Sequence, residues 1–385
     1  MKGFFLLMKQ RSLLFIAVYV CMVTVNCKGP THPSAKKLTK IKTDTIHDGR
    51  NADVKQRPDS IISIAAVGDI MLGTAYPDNT HLPRDSGKQS FNYALKDLHD
   101  ADITFGNLEG VLLDSGEPAA MKLKFRSKPY LFKMPENYGG ILKKAGFDIM
   151  SLGNNHSNDF SLKGRKQTIK ILDSLGIHHA GLKIQPTKIF VKNGIKYGFC
   201  AFSPNSQTVS LLNVKGAGVI ITELKRQVDI VIVSFHGGGE GVDFEHMSCT
   251  NEKFKGERRG NVYAFAHAAI DAGADVILGH GPHVSRAMEI YKKRLIAYSL
   301  GNFCTHTSVS VSGVCGLAPL LKIRINKKGH FLNGQILSYK QSHHNGLSRD
   351  SLNKAAARIK YLTETDLDQP GLSISASGYM SLNKN

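Results

Sequence analysis

Hydrophobic and polar positions fall along this chain in blocks rather than residue by residue. An apolar run over 61–67 stops at Gly68, a second over 103–105 stops at Gly106, and a third over 149–152 lies between Gly146 and Gly153. Similar runs cover 197–202, 228–235, 275–278, 295–300, 320–325 and 331–337. Short apolar runs bounded by turn residues predict buried strands. Helical patterns are expected over 91–100 with Ser90 as N-cap, over 135–146 with Pro135 in the first turn, over 161–175 before Gly176, and over 262–272. Strands alternating with helices predict a layered α/β core. Beyond 345 the pattern turns polar and weakly periodic, with one helix expected over 352–362.

Polar groups arrive where five of these strands stop. They are Asp69, then Asn107 with Glu109, Asn155 with His156, His236, and His280 with His283. In open α/β sheets, ligands bind at the carboxyl ends of the strands. Carboxylate, amide and imidazole groups gathered there are what a site for divalent metals requires, and such a site clamps a phosphate-like group and activates water. Glycines beside these residues allow the tight turns that let side chains converge. Asp159 either orients His156 or caps the helix that follows, and the cap is the simpler expectation.

Composition adds a charge. Lys and Arg outnumber Asp and Glu by 50 to 31, a formal +19, which favours an anionic partner. With no helix-turn-helix, zinc-finger or RNA-binding signature, no nucleic-acid partner is expected. Arg126, Arg258 and Arg259 are candidates for gripping an anion, since guanidinium forks match carboxylate or phosphate; ordinary surface arginines are the alternative.

The N-terminus speaks to destination. Lys2, Lys9 and Arg11 precede an apolar run over 13–25 that ends at Asn26-Cys27. A positively charged start followed by an apolar run of this length predicts a secretory signal over 1–27, with the run short for a stable span and Asn26 departing from the small residue usual before such a cysteine. The alternative is an uncleaved anchor; either places the body outside the cytoplasm. Residues 28–59 are rich in Lys and Thr without apolar period and read as a solvated linker. Cys200, Cys249, Cys304 and Cys315 show no C-x-x-C spacing, and sequence assigns them no pairs.

The order of the polar words resembles that of the calcineurin-like metallophosphoesterases. It resembles more closely the CapA family of bacterial poly-gamma-glutamate capsule synthesis proteins. The matching words are Gly68-Asp69-Ile70-Met71, Gly106-Asn107-Leu108-Glu109-Gly110, Asn154-Asn155-His156, Gly279-His280-Gly281-Pro282-His283 and Tyr298-Ser299-Leu300-Gly301-Asn302-Phe303. The resemblance implies a four-layer metallophosphoesterase-like α/β/β/α sandwich over 60–340, with 341–385 as a polar extension. It implies Asp69, Asn107, Glu109, Asn155, His236, His280 and His283 as ligands of one or two divalent ions (Mn, Fe or Zn), and His156 as general acid. Met71 stands where the phosphoesterases carry a second ligand, a histidine. Cys27 resembles a lipidated cysteine, so a membrane-anchored lipoprotein of the cell envelope is expected. The implied function is a metal-dependent hydrolase or transferase acting on an anionic polymer or phosphoester in capsule synthesis, alongside other envelope proteins. A non-catalytic protein that binds an acidic polymer and assists its export is the alternative.

Overall fold

A computed structural model describes residues 61–124, 130–343 and 346–383. The expected signal, Cys27, the linker and Arg126 lie outside the described residues. The chain opens with β1 (Ile62–Met71), α1 (Leu95–His99), β2 (Ile103–Leu108), β3 (Val111–Leu112) and α2 (Ala120–Lys124). It continues with β4 (Lys133–Met134), α3 (Tyr138–Lys144), β5 (Ile149–Ser151), α4 (Ser161–Ser174) and β6 (His178–Ala180). The middle holds β7 (Thr187–Lys192), β8 (Ile195–Phe202), α5 (Val214–Lys225), β9 (Ile230–His236), β10 (Glu252–Phe254) and β11 (Glu257–Gly260). Then come α6 (Val262–Asp271), β12 (Val276–His280), β13 (Met288–Tyr291) and β14 (Arg294–Ala297). The last stretch is β15 (Asn302–Thr305), β16 (Leu317–Ile325), β17 (Phe331–Ser342), β18 (Gly346–Arg349), α7 (Lys354–Asp366), β19 (Leu372–Ile374) and β20 (Tyr379–Leu382).

Two sheets organise these elements. The larger has ten strands, ordered β19-β20-β17-β16-β1-β2-β5-β6, with β15 on β1 and β18 on β17. The smaller has six, ordered β13-β14-β12-β9-β8-β7. The continuous apolar runs are explained by burial on both faces. In β1, Ile62, Ile64 and Ala66 join Phe199, Ile232 and Leu278 of the second sheet in one core between the sheets. Ala65 and Val67 point the other way, onto Leu98, Leu142 and Leu172 of α1, α3 and α4. In β9, Ile230 and Ile232 face the shared core, while Val231, Val233 and Phe235 pack on Ile221 of α5 and Phe265 of α6. The layers are therefore helix, sheet, sheet and helix, the expected α/β/β/α sandwich.

Two expectations need correction. The polar reading of 341–385 fails because β18, β19 and β20 extend the larger sheet and Ala356 and Ile359 of α7 enter the inter-sheet core. Polar residues there coat the outer side of α7, whose Ala355, Ala356, Ile359 and Leu362 are buried. His179 lies in sequence away from the five polar strand ends, which predicts a surface residue, yet it is fully buried in β6 with Nε2 3.2 Å from Asp173. The four cysteines of the described body are free.

Candidate metal centre

Strand register delivers the site. In β1 and β2, Asp69 pairs with Asn107; in β12 and β9, His280 pairs with His236. Each pair stands at the C-terminal end of parallel strands, one pair per sheet. Glycine is required beside them: a Cβ on Gly68 would meet the Gly301 carbonyl at 2.0 Å, and one on Gly279 would meet that of Tyr298 at 2.2 Å. His283 sits at φ +60°, which turns its ring back toward the strand ends.

Asp69, Glu109 and His283 present ligand atoms within 4.8 Å of one another. Asp69 accepts from Asn107 Nδ2 at 2.8 Å and lies 3.1 Å from His280 Nδ1 and 3.0 Å from His283 Nδ1. Glu109 Oε1 lies 3.6 Å from His283 Nε2, 3.9 Å from His236 Nε2 and 4.0 Å from His156 Nε2. Burial works against a charge on Asp69, yet hydrogen bonds from His280 and His283, with their charges, hold its carboxyl well below the usual carboxylate range. Burial pushes the Glu109 carboxyl up, and the charges of Asp69 and Glu240 push the same way. Burial pulls the His283 imidazole down, but Glu109 and Asp69 outweigh it and raise it. Burial holds His236 well below its ordinary value.

The donor set fits a divalent cation. Both Glu109 oxygens, both His236 ring nitrogens, His280 Nε2 and Asn155 Oδ1 are buried without a hydrogen-bond partner among the described residues. Each such atom costs roughly 1–3 kcal/mol of desolvation, and six in one place are explained by a shared ligand. Oxygen and imidazole donors suit Mn, Fe or Zn. Asn107 differs from the expected ligand role: its amide spends Nδ2 on Asp69 and its Oδ1 on Asn154 Nδ2 at 3.1 Å. It braces Asp69. Met71 is buried against Phe132 and Val309, with its sulfur accepting from Gly73 N.

His156 is buried and stacked on Phe132, ring centroids 3.9 Å apart. Its Nδ1 donates to Asp159 Oδ2 at 2.7 Å, leaving Nε2 toward Glu109. The expected capping role of Asp159 is overturned, because Phe160 occupies the N-cap of α4 and no side chain caps it. Asp159 Oδ2 also accepts from Phe132 N at 2.9 Å, and Oδ1 lies 2.9 Å from Lys122 Nζ. Burial lowers His156, and the Asp159 charge opposes that fall. A carboxylate behind an imidazole fixes its tautomer and orientation.

A cavity of about 780 Å³ opens above this cluster, lined by Asn155, His156, His283, Lys122, Arg258 and Arg259 among others. Arg258 is exposed at its wall, whereas Arg259 is fully buried and paired with Glu240 at 3.0 Å. Sequence reasoning missed Glu240, which lines the cavity, and Asn302, whose Oδ1 lies 3.1 Å from His283 Nδ1. The sequence signals for Asn302 were its place after Gly301 at the end of an apolar run and its membership of the matching word over 298–303.

The family model described as "Bacterial capsule synthesis protein PGA_cap" matches residues 63–307. The capsule biosynthesis protein CapA of Bacillus anthracis is 28% identical over 271 residues, covering 66% of this chain and 62% of that protein. The PGA biosynthesis protein CapA of Bacillus subtilis is 27% identical over 268 residues, 65% of each chain. The chain thus spans less than two thirds of the length of these relatives. Among solved structures, a putative 5'-nucleotidase from Staphylococcus aureus superposes with a TM-score of 0.41 at 15% identity, covering 79% of this chain and 58% of that one.

Proposed function

The chain belongs to the bacterial capsule synthesis protein PGA_cap family, and from that premise we propose that it is a metal-dependent hydrolase or transferase acting on an anionic polymer in capsule synthesis. The observation that carries the reading is the cluster of orphaned buried donors lying beneath a cavity into which a carboxylate-backed histidine also faces. Asp69, Glu109, Asn155, His236, His280 and His283 would hold the divalent ion. When bound, that ion would supply Lewis-acid polarisation of a phosphoryl or acyl oxygen and a more acidic water.

The chain's own groups do the rest. Asn107 fixes the Asp69 rotamer from the side, so the carboxylate is not free to turn away. Asp159 holds the Nδ1 proton of His156, so that Nε2 is the nitrogen available to a leaving group. Phe132 covers one face of the imidazole and keeps water from it. Proton transfer by such a positioned histidine contributes roughly 10²–10⁴-fold. Export through the signal over 1–27 and lipidation at Cys27 are part of the same proposal, since a capsule polymer is handled in the envelope.

The second reading, a polymer-binding protein without turnover, draws on Met71 at an expected ligand position and on Asn107 being committed to Asp69 and Asn154. Elemental analysis of the purified protein separates the two. A bound divalent ion, weakened by about tenfold or more in His236→Ala, supports catalysis, because lost support of a ligand set alone costs about 10–100-fold. A wild-type protein that takes up no Mn, Fe or Zn overturns the catalytic reading.

A further inference from the structure

We propose that Arg259 is a docking fork for a carboxylate of the substrate, and that Glu240 is a built-in competitor which that carboxylate displaces. The inference rests on the cavity being the substrate's site, and it is tested by binding rather than turnover, so the two readings fail separately.

Arg259 is 1% exposed, yet its guanidinium is only partly satisfied. Nε donates to the Gly238 carbonyl at 2.8 Å and Nη1 pairs with Glu240 Oε1 at 3.0 Å. Nη2 has no hydrogen-bond partner among the described residues. A buried guanidinium hydrogen left without an acceptor is costly, so the open donor marks a place where an acceptor belongs. The neighbouring Arg286 shows the contrast. It is fully buried too, and its Nε, Nη1 and Nη2 all have partners, the last two on both oxygens of Glu252 at 2.8 and 2.7 Å. One arginine is closed and structural; the other, on the cavity wall, is open.

The two members of the Arg259 pair differ in freedom. Arg259 is held by its backbone as well as its side chain, since Gly238 N donates back to the Arg259 carbonyl at 3.0 Å. Glycine is needed there: Gly238 has φ +81°, and a Cβ on Gly239 would strike the Phe244 ring at 2.1 Å. Glu252 additionally takes Gly239 N at 2.7 Å, so it is saturated and does not reach for Arg259. Glu240, by contrast, has a side chain 22% exposed against 1% for Arg259, and it can swing into the cavity solvent.

The terminal edge of a guanidinium binds a carboxylate through two parallel hydrogen bonds. Glu240 now fills half of that edge with one oxygen. A ligand that takes both Nη1 and Nη2 must replace it, and because the present occupant is a carboxylate, a carboxylate is the group that fits. Lys122, Lys255 and Arg258 line the same cavity, so a chain carrying repeated carboxylates is matched at more than one point. A volume of about 780 Å³ lies within the ~300–1,000 Å³ of pockets that hold whole organic ligands rather than single ions.

The test measures binding of pentaglutamate and, separately, inorganic phosphate to the purified protein by calorimetry. Glu240→Gln removes the competitor's charge and should tighten pentaglutamate binding about two- to fivefold, the scale of a part-exposed ion pair. Arg259→Gln should weaken it about 10–100-fold, as expected for a lost charge-assisted pair. Arg259→Lys, which keeps the charge without the fork, should fall between the two. Unchanged or weaker pentaglutamate binding in Glu240→Gln overturns the proposal even if the Arg259 variants fail to fold. A Glu240→Gln effect confined to phosphate overturns the carboxylate assignment.

Discussion

Replacing Asp159 separates orientation of His156 from everything else at the site. Two donors, His156 Nδ1 and Phe132 N, converge on Oδ2 of this fully buried carboxylate, and the Lys122 ammonium forms an ion pair with Oδ1. Asp159→Ala leaves the first two buried without an acceptor, and at roughly 1–3 kcal/mol each the fold should lose about 2–6 kcal/mol. Asp159→Asn is gentler. Its oxygen can stay at the Oδ2 position and serve both buried donors, while its amide faces Lys122, whose side chain is 31% exposed and can turn to solvent. A charge-assisted bond becomes a neutral one and a part-exposed pair is lost, together about 1–2 kcal/mol. Activity should fall further than stability, by about 10–100-fold, because the imidazole loses the anion that fixes its tautomer.

The sign with pH follows from the same contacts. Burial raises the Asp159 carboxyl, but the charge and hydrogen bond of His156, and the charge of Lys122, outweigh it and leave it below its ordinary value. A group lowered on folding stabilises above its unfolded value of about 3.9, and that stabilisation is lost as pH falls through the folded value. The stability gap between wild type and Asp159→Asn should therefore be full at neutral pH and shrink below about pH 4. The chain has no tryptophan, so urea unfolding is best followed by circular dichroism, beside hydrolysis of a nitrophenyl phosphate ester. A cost below about 1 kcal/mol for Asp159→Ala, or full hydrolysis in Asp159→Asn while His156→Ala is inactive, would refute the orienting role.

Two further outcomes are expected. Gly279→Ala should cost at least about 2 kcal/mol or abolish folding, because its Cβ would lie 2.2 Å from the Tyr298 carbonyl and 2.5 Å from the Phe235 ring; a thermal midpoint matching wild type would show that the strands can part there. Cys27→Ser should release the protein from the membrane fraction of expressing cells, and mass spectrometry of the wild type should find a lipid on Cys27; unchanged attachment in the variant would remove the lipoprotein proposal.

Much of the site was legible because strand ends advertise themselves. An apolar run that ends, beside a glycine, in Asp69, His236 or His280 needs no tertiary knowledge to be read as a strand delivering a ligand. Asp159 was misread because its partners, Phe132 and Lys122, are remote in sequence, whereas a helix start lies next door. The pairing of Arg259 with Glu240 was hidden for a similar reason: the β10–β11 hairpin folds back over the glycine run, and no local pattern records it. In the fold, α5 went unnoticed. Gly216 and Gly218 lower its helix propensity, and its true start is the Asn213 cap that accepts from Gly216 N. The C-terminal strands were missed because each is only three or four residues long with one or two buried positions, while Ala356 and Ile359 give only a faint helical stripe.

The connection order has a consequence for how the molecule is made. The chain leaves the larger sheet after β6, builds the whole smaller sheet, and only then returns to lay β15 and β16 on β1. Ile62 thus waits for Ile325, its partner across the ladder. Until that segment has been synthesised, β1 carries a bare edge of unpaired amides and carbonyls, which invites pairing with other chains. Contacts this distant are slow to form, because the loop must close before they stabilise anything. A nascent or truncated chain ending before Leu317 therefore completes neither the ladder around β1 nor the core beneath it, however much of the metal-binding sequence it already contains.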